Sequence, residues 1–305
     1  MRICVIFNPT AKGEKAERLR KHLESVASEC SLKLTTGMGA ARQLAAEGVR
    51  QGYEVIVAAG GDGTLNEVLN GMGDVPGGYE KCKLGVLPIG TVNVFAREMG
   101  IPFSILKAWK IIKAGHFRLL DLPIVEYEAE GKQVQRRFIQ MAGFGLDARA
   151  ASMVDWGLKK TVGPIAYLVA GLQAINHLKP KVDVSDGKMK ASGDLVIVGN
   201  GRYYGGSFAL CPQADYTDGI LDVSVVEEIS WQKMPQHFYN FVSGKMFKPG
   251  GTTYFQAKEV TVTSDIPVLF HVEGEIAGQG PARIWIGKSK LRAIVPAGPG
   301  CSITE

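Results

Sequence analysis

The sequence has few cysteines and histidines and no long hydrophobic run. Its five cysteines lie far apart and form no C-x-x-C pair, which predicts reduced thiols and a cytoplasmic location. The five histidines have no metal-binding spacing. The longest apolar stretch, residues 163–175, is too short to span a bilayer, and residues 1–7 resemble a strand rather than a signal peptide. We therefore expect no transmembrane segment, while peripheral association with a membrane stays open.

Several signatures are also absent. The chain contains neither of the familiar phosphate loops, G-x-x-x-x-G-K-[ST] and G-x-G-x-x-G, and its serines never occur in G-x-S-x-G, so a hydrolase triad has no support. No arginine-rich tract with interleaved aromatics is present, which argues against a nucleic-acid partner. The formal net charge of +5 is modest; it fits an anionic ligand or an acidic membrane surface, but also many soluble enzymes.

Glycine is abundant, and one glycine-rich turn stands out in VIVAAGGDGTLNEVLNG, residues 55–71. The initial apolar run is typical of a strand that is covered on both faces. Thr64 and Glu67 have the spacing of a capping box, and Gly71 predicts the end of the helix. Residues 60–63 then place bare backbone amides at a helix N-terminus, which predicts an anion site. Asp62 would repel phosphate there unless it binds a metal or a proton; alternatively, it caps the turn through its own backbone.

The first third of the chain alternates between strand and helix patterns. We predict strands at residues 3–7, 32–36, 54–59 and 84–88, and helices at 14–27, 40–50, from about 93, and 104–114. This alternation predicts an α/β domain with a doubly wound, mostly parallel sheet. Ligands bind at the carboxyl ends of such strands, where the turns at residues 8–13, 60–64 and 90–93 converge.

From about Pro123 the pattern changes to a run of strands, which predicts a mainly antiparallel β-sandwich. The predicted strands are 125–128, 134–141, 181–185, 195–199, 221–226, 260–264, 268–272, 282–286 and 291–295, with helices at 164–177 and 231–243. Glu130-Gly131-Lys132 indicates a hairpin turn. We expect domains at residues 1–122 and 123–305, with the final 15 or so residues returning to the first domain.

The ordered motifs carry a family resemblance. GGDGT at residues 60–64 followed by Asn66-Glu67, and PIGTVN at 88–93 followed by Phe95-Ala96-Arg97, resemble the diacylglycerol kinase catalytic domain. This is the family of bacterial soluble lipid kinases related to sphingosine and ceramide kinases. NPTAKG at 8–13, GFGLD at 143–147, DGILDV at 218–223 and EGE at 273–275 continue the resemblance in order along nearly the whole chain.

The resemblance implies a first domain like that of NAD kinases and phosphofructokinases, and an ATP-dependent kinase that transfers the γ-phosphate of Mg–ATP to a lipid hydroxyl, such as that of diacylglycerol. Two alternatives stay open: an NAD kinase-like enzyme, and a non-catalytic nucleotide-binding regulator with the same fold. A homodimer also stays open.

The resemblance further implies which residues form the sites. ATP would lie against Asn8, Pro9, Thr10, Lys12, Thr36, Gly61, Asp62, Gly63, Thr64, Leu65, Asn66, Glu67, Thr91 and Asn93. Asp62 and Asp121 resemble the carboxylates that hold catalytic Mg²⁺; in many members another carboxylate follows the Asn of the GTxN turn, where this chain has Val94.

Two further sites follow from the resemblance. Asp215, Asp218 and the Ile220 carbonyl match a structural divalent-ion site, for Mg²⁺ or Ca²⁺. Glu273 occupies the position where the family usually has the Asp that is its proposed catalytic base. His271, two residues earlier, would either orient Glu273 or be structural.

The lipid surface is the least defined part. Residues 156–177 join Lys159-Lys160 to an apolar run at 165–172. This pattern indicates either a basic amphipathic surface for anionic headgroups or a helix that covers the sandwich.

Overall fold

A computed structural model describes residues 1–9, 29–146, 148, 180–206, 208–230, 232 and 251–298. The helices predicted at 14–27, 164–177 and, apart from Gln232, 231–243 lie outside these residues. The chain divides into two compact units: Met1–Leu122 with Lys288–Glu305, and Pro123–Gly287.

The first unit is built on a six-stranded sheet. Its strands are β1 (Ile3–Phe7), β2 (Ser31–Leu34), β3 (Val55–Gly60), β4 (Lys83–Pro88), β5 (Phe117–Leu120) and β20 (Leu291–Ile294). Their order across the sheet is β2-β1-β3-β4-β20-β5, and all pairs among β1 to β4 are parallel. Strand β20 meets β4 at one parallel residue pair and runs antiparallel to β5. The prediction of a mostly parallel sheet is confirmed.

The described helices of this unit are α1 (Ala40–Arg50), α2 (Asp62–Gly73), α3 (Gly78–Lys81), α4 (Val94–Glu98) and α5 (Ile105–Ala114). Gly48 of α1 packs against Ile56 of β3, since a Cβ on this glycine would lie 2.8 Å from Ile56 Cδ1. Ile112 of α5 packs against Gly85 of β4 beside Val57 of β3, since a Cβ on Gly85 would lie 3.1 Å from Val57 and 3.2 Å from Ile112. Because Ile56 and Val57 are neighbours in β3, they point to opposite faces. Helices α1 and α5 therefore cover opposite faces of the sheet, as a doubly wound fold requires.

Gly71 has a different role from the predicted one. It does not end α2, which continues to Gly73. A Cβ at Gly71 would lie 2.1 Å from the carbonyl oxygen of Arg42 in α1. The glycine therefore lets the backbones of α1 and α2 come into contact. The sequence pattern suggested the end of a helix because it does not show that another helix packs at this position.

We expect Gly71→Ala to destabilise the protein by about 1–3 kcal/mol, because the added methyl group forces two packed helix backbones apart. Thermal and denaturant unfolding of the variant would measure the loss. Gly37→Ala is the matched control, since a Cβ there has nothing within 4 Å. Equal stability of the Gly71→Ala and Gly37→Ala variants would contradict the close helix contact.

The second unit contains two six-stranded antiparallel sheets. Its strands are β6 (Pro123–Ala129), β7 (Lys132–Arg137), β8 (Met141–Gly145), β9 (Val182–Ser185), β10 (Lys190–Gly193), β11 (Leu195–Gly199), β12 (Tyr203–Tyr204), β13 (Phe208–Ala209), β14 (Leu221–Val226), β15 (Thr252–Ala257), β16 (Glu259–Ser264), β17 (Leu269–Val272), β18 (Glu275–Gln279) and β19 (Ala282–Ile286). The sheet orders are β10-β9-β16-β19-β6-β7 and β15-β14-β11-β8-β17-β18, while β12 and β13 form a small ladder. The predicted β-sandwich is confirmed.

One apolar core joins the two sheets of the sandwich. Inward-facing side chains alternate with polar ones, as in β6 and β16. Phe270 stacks on Phe144 and meets Tyr127 edge-on, with ring centroids 4.9 Å apart in both pairs. Such aromatic pairs contribute roughly 0.5–1.5 kcal/mol beyond the area they bury. They anchor β17, the strand that leads into Glu273.

The hairpin between β6 and β7 has the predicted turn, since Glu130 and Gly131 both have positive φ, 52° and 71°. The strand predicted at residues 134–141 is wrong in one respect. It divides into β7 and β8, with residues 138–140 between them. Residues 138–140 are buried, and the amides of Ile139 and Gln140 donate to a side chain instead of to a neighbouring strand.

Candidate active site

Strands β1, β3 and β4 are neighbours, so the turns that follow them meet at one edge of the sheet. The Asn8 amide donates to the Ala59 carbonyl at 3.1 Å. The amides of Ile89 and Gly90 both donate to the Gly60 carbonyl, at 3.0 and 3.2 Å. The turns after β3 and β4 are therefore tied together by their own backbones.

Gly90 is required for this approach. A Cβ on Gly90 would lie 2.4 Å from the Cα atom of Gly61, closer than real contacts allow. Asn93, which is buried with φ 51°, closes the same turn: its Oδ1 accepts from the Gly90 amide at 3.1 Å and its Nδ2 donates to the Gly90 carbonyl at 2.6 Å. The Asn93 side chain thus shapes the turn through contacts within the protein.

Asp62 bridges the two turns. Its half-buried carboxylate accepts hydrogen bonds from the backbone amides of Phe95, Val94 and Asn93, at the start of α4. Burial raises the pKa of the Asp62 carboxyl above its ordinary value, and these amides act in the opposite direction. The carboxylate also accepts from the amide of Asp62 itself, so it caps its own turn and in addition binds the next one. Local sequence analysis missed the bonds to the next turn along the sheet.

The predicted capping box of Thr64 and Glu67 is wrong. Helix α2 begins at Asp62 after Gly61, with no side-chain cap. The Glu67 carboxylate instead accepts from the Gly39 and Ala41 amides, at 2.9 and 3.0 Å. Helix α1 has Gly39 as its N-cap and no acidic residue in its first turn, so Glu67 supplies the missing acceptor and the favourable negative charge.

The other residues expected at the nucleotide differ in exposure. Pro9, Thr36 and Thr91 are exposed, Asn8, Gly61 and Gly63 are half-buried, and Thr64, Leu65 and Asn66 are buried. Asn8 Nδ2 lies 3.4 Å from Thr64 Oγ1, which links the turn after β1 to α2. Asn66 Oδ1 lies 3.3 Å from Asn70 Nδ2. Thr10 and Lys12 lie outside the described residues.

Asp121 is buried and has a cationic neighbour. Its side chain is 1% exposed, and Lys290 Nζ lies 2.5 Å from Asp121 Oδ1. Lys290 follows the second unit in the chain, so nothing near Asp121 in the sequence predicts it. A metal ion at Asp121 would have to share the carboxylate with this ammonium group.

In the second unit, Glu273 occupies the turn after β17. Its backbone is left-handed, with φ 56°, and its amide donates to the Met141 carbonyl at 3.0 Å. Glu273 Oε1 accepts from the amides of Ile139 and Gln140, at 2.7 and 2.8 Å. Both amides lie in the break between β7 and β8, so the carboxylate is fixed by a partner more than 130 residues away in sequence.

A polar network orders the segment that holds Glu273. Tyr216 donates to Gln140 Oε1 at 2.6 Å, and Gln140 Nε2 donates to the Tyr203 carbonyl at 2.9 Å. His271 is fully buried, and its Nδ1 accepts from the Gly274 amide at 3.1 Å. Of the two roles considered for His271, the structure supports the structural one: it holds the turn after Glu273.

The turn with Asp215 and Asp218 is closed by its own side chains. Asp215 Oδ1 accepts from the amide and hydroxyl of Thr217, at 2.9 and 2.7 Å, and Asp218 Oδ1 accepts from the Ile220 amide at 3.0 Å. No group of three or more His, Cys, Asp or Glu side chains suited to a metal occurs within the described ranges.

In the part of the chain that the structure describes, every helix is too short or too polar to span a bilayer.

The comparisons with known proteins agree with this architecture. Residues 2–124 match the model of the diacylglycerol kinase catalytic domain, and residues 140–297 match that of the YegS C-terminal NAD kinase beta sandwich-like domain. A protein named diacylglycerol kinase from Staphylococcus saprophyticus is 30% identical over 303 residues, covering 97% of this chain and 95% of the relative. A protein of the same name from Staphylococcus aureus strain JH9 is 32% identical over 290 residues, which cover 92% of this chain and 88% of the relative.

Solved structures show the same fold. A Bacillus anthracis str. Sterne protein described as a candidate diacylglycerol kinase has a TM-score of 0.75 and 24% identity, covering 99% of this chain and 98% of its own. A second structure from that organism, described as a diacylglycerol kinase, has a TM-score of 0.70 and 22% identity, with coverage of 98% and 97%.

Proposed function

The chain belongs to the diacylglycerol kinase catalytic-domain family, and we propose that it transfers the γ-phosphate of ATP to a lipid hydroxyl. The observation that carries this proposal is the position of Asp62, a half-buried carboxylate where two glycine turns meet at the carboxyl ends of parallel strands. Nucleotides bind at this edge of α/β sheets.

The Asp62 carboxylate fits a Mg²⁺-bound triphosphate. Mg²⁺ is commonly held by one or two carboxylates together with phosphate oxygens and water, so Asp62 alone suffices on the protein side. A bound cation would also stabilise the ionised form that burial disfavours. Mg²⁺ would supply neutralisation of the phosphate charge during transfer. Thr36 and Thr91 have exposed side chains in the turns after β2 and β4, and we propose that they contact the nucleotide.

For the acceptor we propose Glu273 as the base that receives the proton of the lipid hydroxyl. Two backbone amides fix its Oε1, so the carboxylate has a defined orientation in an otherwise strained left-handed turn. A positioned base assists transfer because a lipid hydroxyl is too weak an acid to ionise unaided. Diacylglycerol is the first acceptor to test; phosphatidylglycerol, a sphingoid base and ceramide are the others. The enzyme would act from the cytoplasm at a membrane surface.

Transfer of label from γ-phosphate-labelled ATP, with each lipid in mixed micelles and Mg²⁺ present, tests the proposal. We expect one lipid to take label and EDTA to abolish the transfer. NAD belongs in the same panel, because the sandwich matches an NAD kinase-like domain. Labelling of NAD alone would establish the NAD kinase alternative, and ATP binding without any transfer would favour a regulator.

We also propose that the turn with Asp215, Asp218 and the Ile220 carbonyl binds a structural divalent cation. If so, Asp218→Ala should abolish the rise in melting temperature that Mg²⁺ or Ca²⁺ produces without nucleotide, because an ion bound only to the folded state stabilises by mass action. Asp186→Ala is the matched control: Asp186 closes the β9–β10 turn through the Lys188 and Met189 amides, at 2.9 and 2.7 Å. A cation effect that survives Asp218→Ala would rule out an ion there.

A further inference from the structure

The end of α4, the loop after it and the first half of α5 form an exposed surface that the proposed chemistry does not use. This α5 surface consists of Arg97, Phe103, Leu106, Lys107 and Lys110, all of them exposed. Its two apolar side chains are large and unusually open to water: Phe103 is 45% exposed and Leu106 is 47% exposed.

The position of the helix explains why this face is exposed. Helix α5 buries Ala108, Trp109 and Ile112 against the sheet. Leu106, Lys107 and Lys110 are spaced three and four residues apart on the opposite side of the helix and are therefore exposed to solvent. Phe103 is held beside this face by Arg97, whose guanidinium carbon lies 4.8 Å from the centre of the ring. Arg97 Nε in turn donates to the Val92 carbonyl at 2.8 Å. The exposed phenyl ring is therefore fixed to the turn after β4.

The α5 surface lies towards the nucleotide edge of the sheet. Lys83, the first residue of β4, reaches the Gly115 carbonyl at the C-terminal end of α5, at 3.3 Å. The helix thus runs back along β4, and its N-terminal end, with Leu106, points towards the carboxyl end of that strand. A surface in contact with Phe103 and Leu106 would adjoin the turn at residues 89–93.

The positive charge of this surface indicates an anionic partner. Helix α5 has three lysines and no acidic residue. Lys113 pairs with Glu29 at 3.0 Å, but no ion pair within the described residues joins Lys107 or Lys110 to an acid. Glu98, the acidic residue of α4, is half-buried. Exposed aromatic and aliphatic side chains with cations around them suit the interface of an anionic bilayer.

We propose that the α5 surface docks the protein on membranes that contain anionic phospholipids. Phe103 and Leu106 enter the boundary between headgroups and acyl chains, while Arg97, Lys107 and Lys110 pair with lipid phosphates. A second copy of this chain is a poorer occupant, because two such surfaces would bring like charges together. The biological reason for docking rests on the proposed lipid acceptor, but the binding itself requires neither ATP nor acceptor.

Co-sedimentation with phosphatidylcholine vesicles containing phosphatidylglycerol, without ATP or acceptor lipid, tests the proposal. We expect Lys107→Ala/Lys110→Ala to weaken binding about 25-fold, since each lysine near an anionic surface contributes about fivefold. Phe103→Ser/Leu106→Ser should weaken it at least about tenfold through lost apolar burial. The matched control Lys132→Ala/Lys188→Ala removes two exposed positive charges from the hairpins of the other unit and should bind like the parent.

Three results with the variants would overturn the proposal: parental vesicle binding by the α5 variants, an equal loss in the control pair, or a change in the oligomeric state of Phe103→Ser/Leu106→Ser, which would assign the surface to a second copy. Activity on micellar acceptor should stay unchanged in all three double variants. If the parent protein binds vesicles but labels no lipid, the proposed function is wrong and the proposed α5 surface is retained. If it labels micellar lipid but does not bind vesicles, the proposed α5 surface is wrong and the proposed function is retained.

Discussion

Asp62→Asn should reduce the rate of phosphoryl transfer by about 10²–10³-fold, the loss typical of removing one group that stabilises charge in the transition state. Asn keeps an oxygen that can accept from the amides of residues 93–95, so the turn and α4 should still form. It lacks the negative charge that would hold Mg²⁺. The variant should therefore lose turnover and Mg²⁺-dependent ATP binding while its circular dichroism spectrum stays unchanged.

The pKa of Asp62 predicts how the stability difference between Asp62→Asn and the parent changes with pH. Burial raises the pKa of Asp62 in the folded protein, so the folded state binds this proton more tightly than the unfolded chain does. The carboxyl therefore destabilises the metal-free protein increasingly as pH rises from the ordinary aspartate range through the raised pKa. Asn does not titrate. Without metal or nucleotide, Asp62→Asn should have a higher melting temperature than the parent at pH 8. The difference should disappear once the pH falls to the ordinary aspartate range.

Asp74→Asn is the matched control for Asp62→Asn. Asp74 follows the other end of α2 and pairs through both oxygens with Arg42, at 2.6 and 2.7 Å. Its loss should lower stability slightly and leave turnover intact. If Asp62→Asn transfers phosphate at nearly the parental rate with a normal melting curve, Asp62 serves only to cap α4, and the metal site must be sought elsewhere.

The sequence predicted strands β1, β3 and β4 of the first sheet well, because buried parallel strands are short, continuous apolar runs. Helix Ala40–Arg50 and strands Ile3–Phe7, Leu195–Gly199, Leu221–Val226 and Ala282–Ile286 have the predicted bounds. Strands β5, β10, β15 and β18 were missed, together with the small ladder of β12 and β13. The first four all lie at sheet edges, where a strand is covered on fewer sides and shows a weaker hydrophobic period.

The errors at the candidate site share one cause. Glu67 and Gly71 each have a local pattern that suggests a local role, yet each acts on a distant segment, and the hydrogen-bond partner of Glu273 is distant as well. Glu67 caps α1, Gly71 admits the backbone at Arg42, and Glu273 binds the break between β7 and β8. A single sequence contains no signal for such pairings, because they depend on which helices and strands become neighbours. The glycine turn itself could be predicted, since strand, turn and helix are contiguous there.

Glu273→Gln should leave ATP affinity nearly unchanged and reduce the transfer rate by about 10²–10⁴-fold, the usual contribution of a general base. Glutamine retains an oxygen for the Ile139 and Gln140 amides, so the turn should survive while proton acceptance is lost. The acidic limb of the pH–rate profile should flatten if Glu273 is the group that titrates. Melting temperature separates this result from a structural defect.

Two further variants make the assignment of the base specific. Glu273→Asp should retain more activity than Glu273→Gln, because aspartate keeps the charge and tolerates the left-handed backbone at φ 56°. It is one methylene shorter, so it cannot reach the Ile139 and Gln140 amides without a shift and should not match the parent. Glu275→Gln is the control two residues away: Glu275 is exposed and pairs with Arg136 at 2.9 Å, and its loss should change activity little. Should Glu273→Gln work within a few-fold of the parent while Glu275→Gln fails, Glu275 is the base, and the amides at Glu273 serve only to hold the turn.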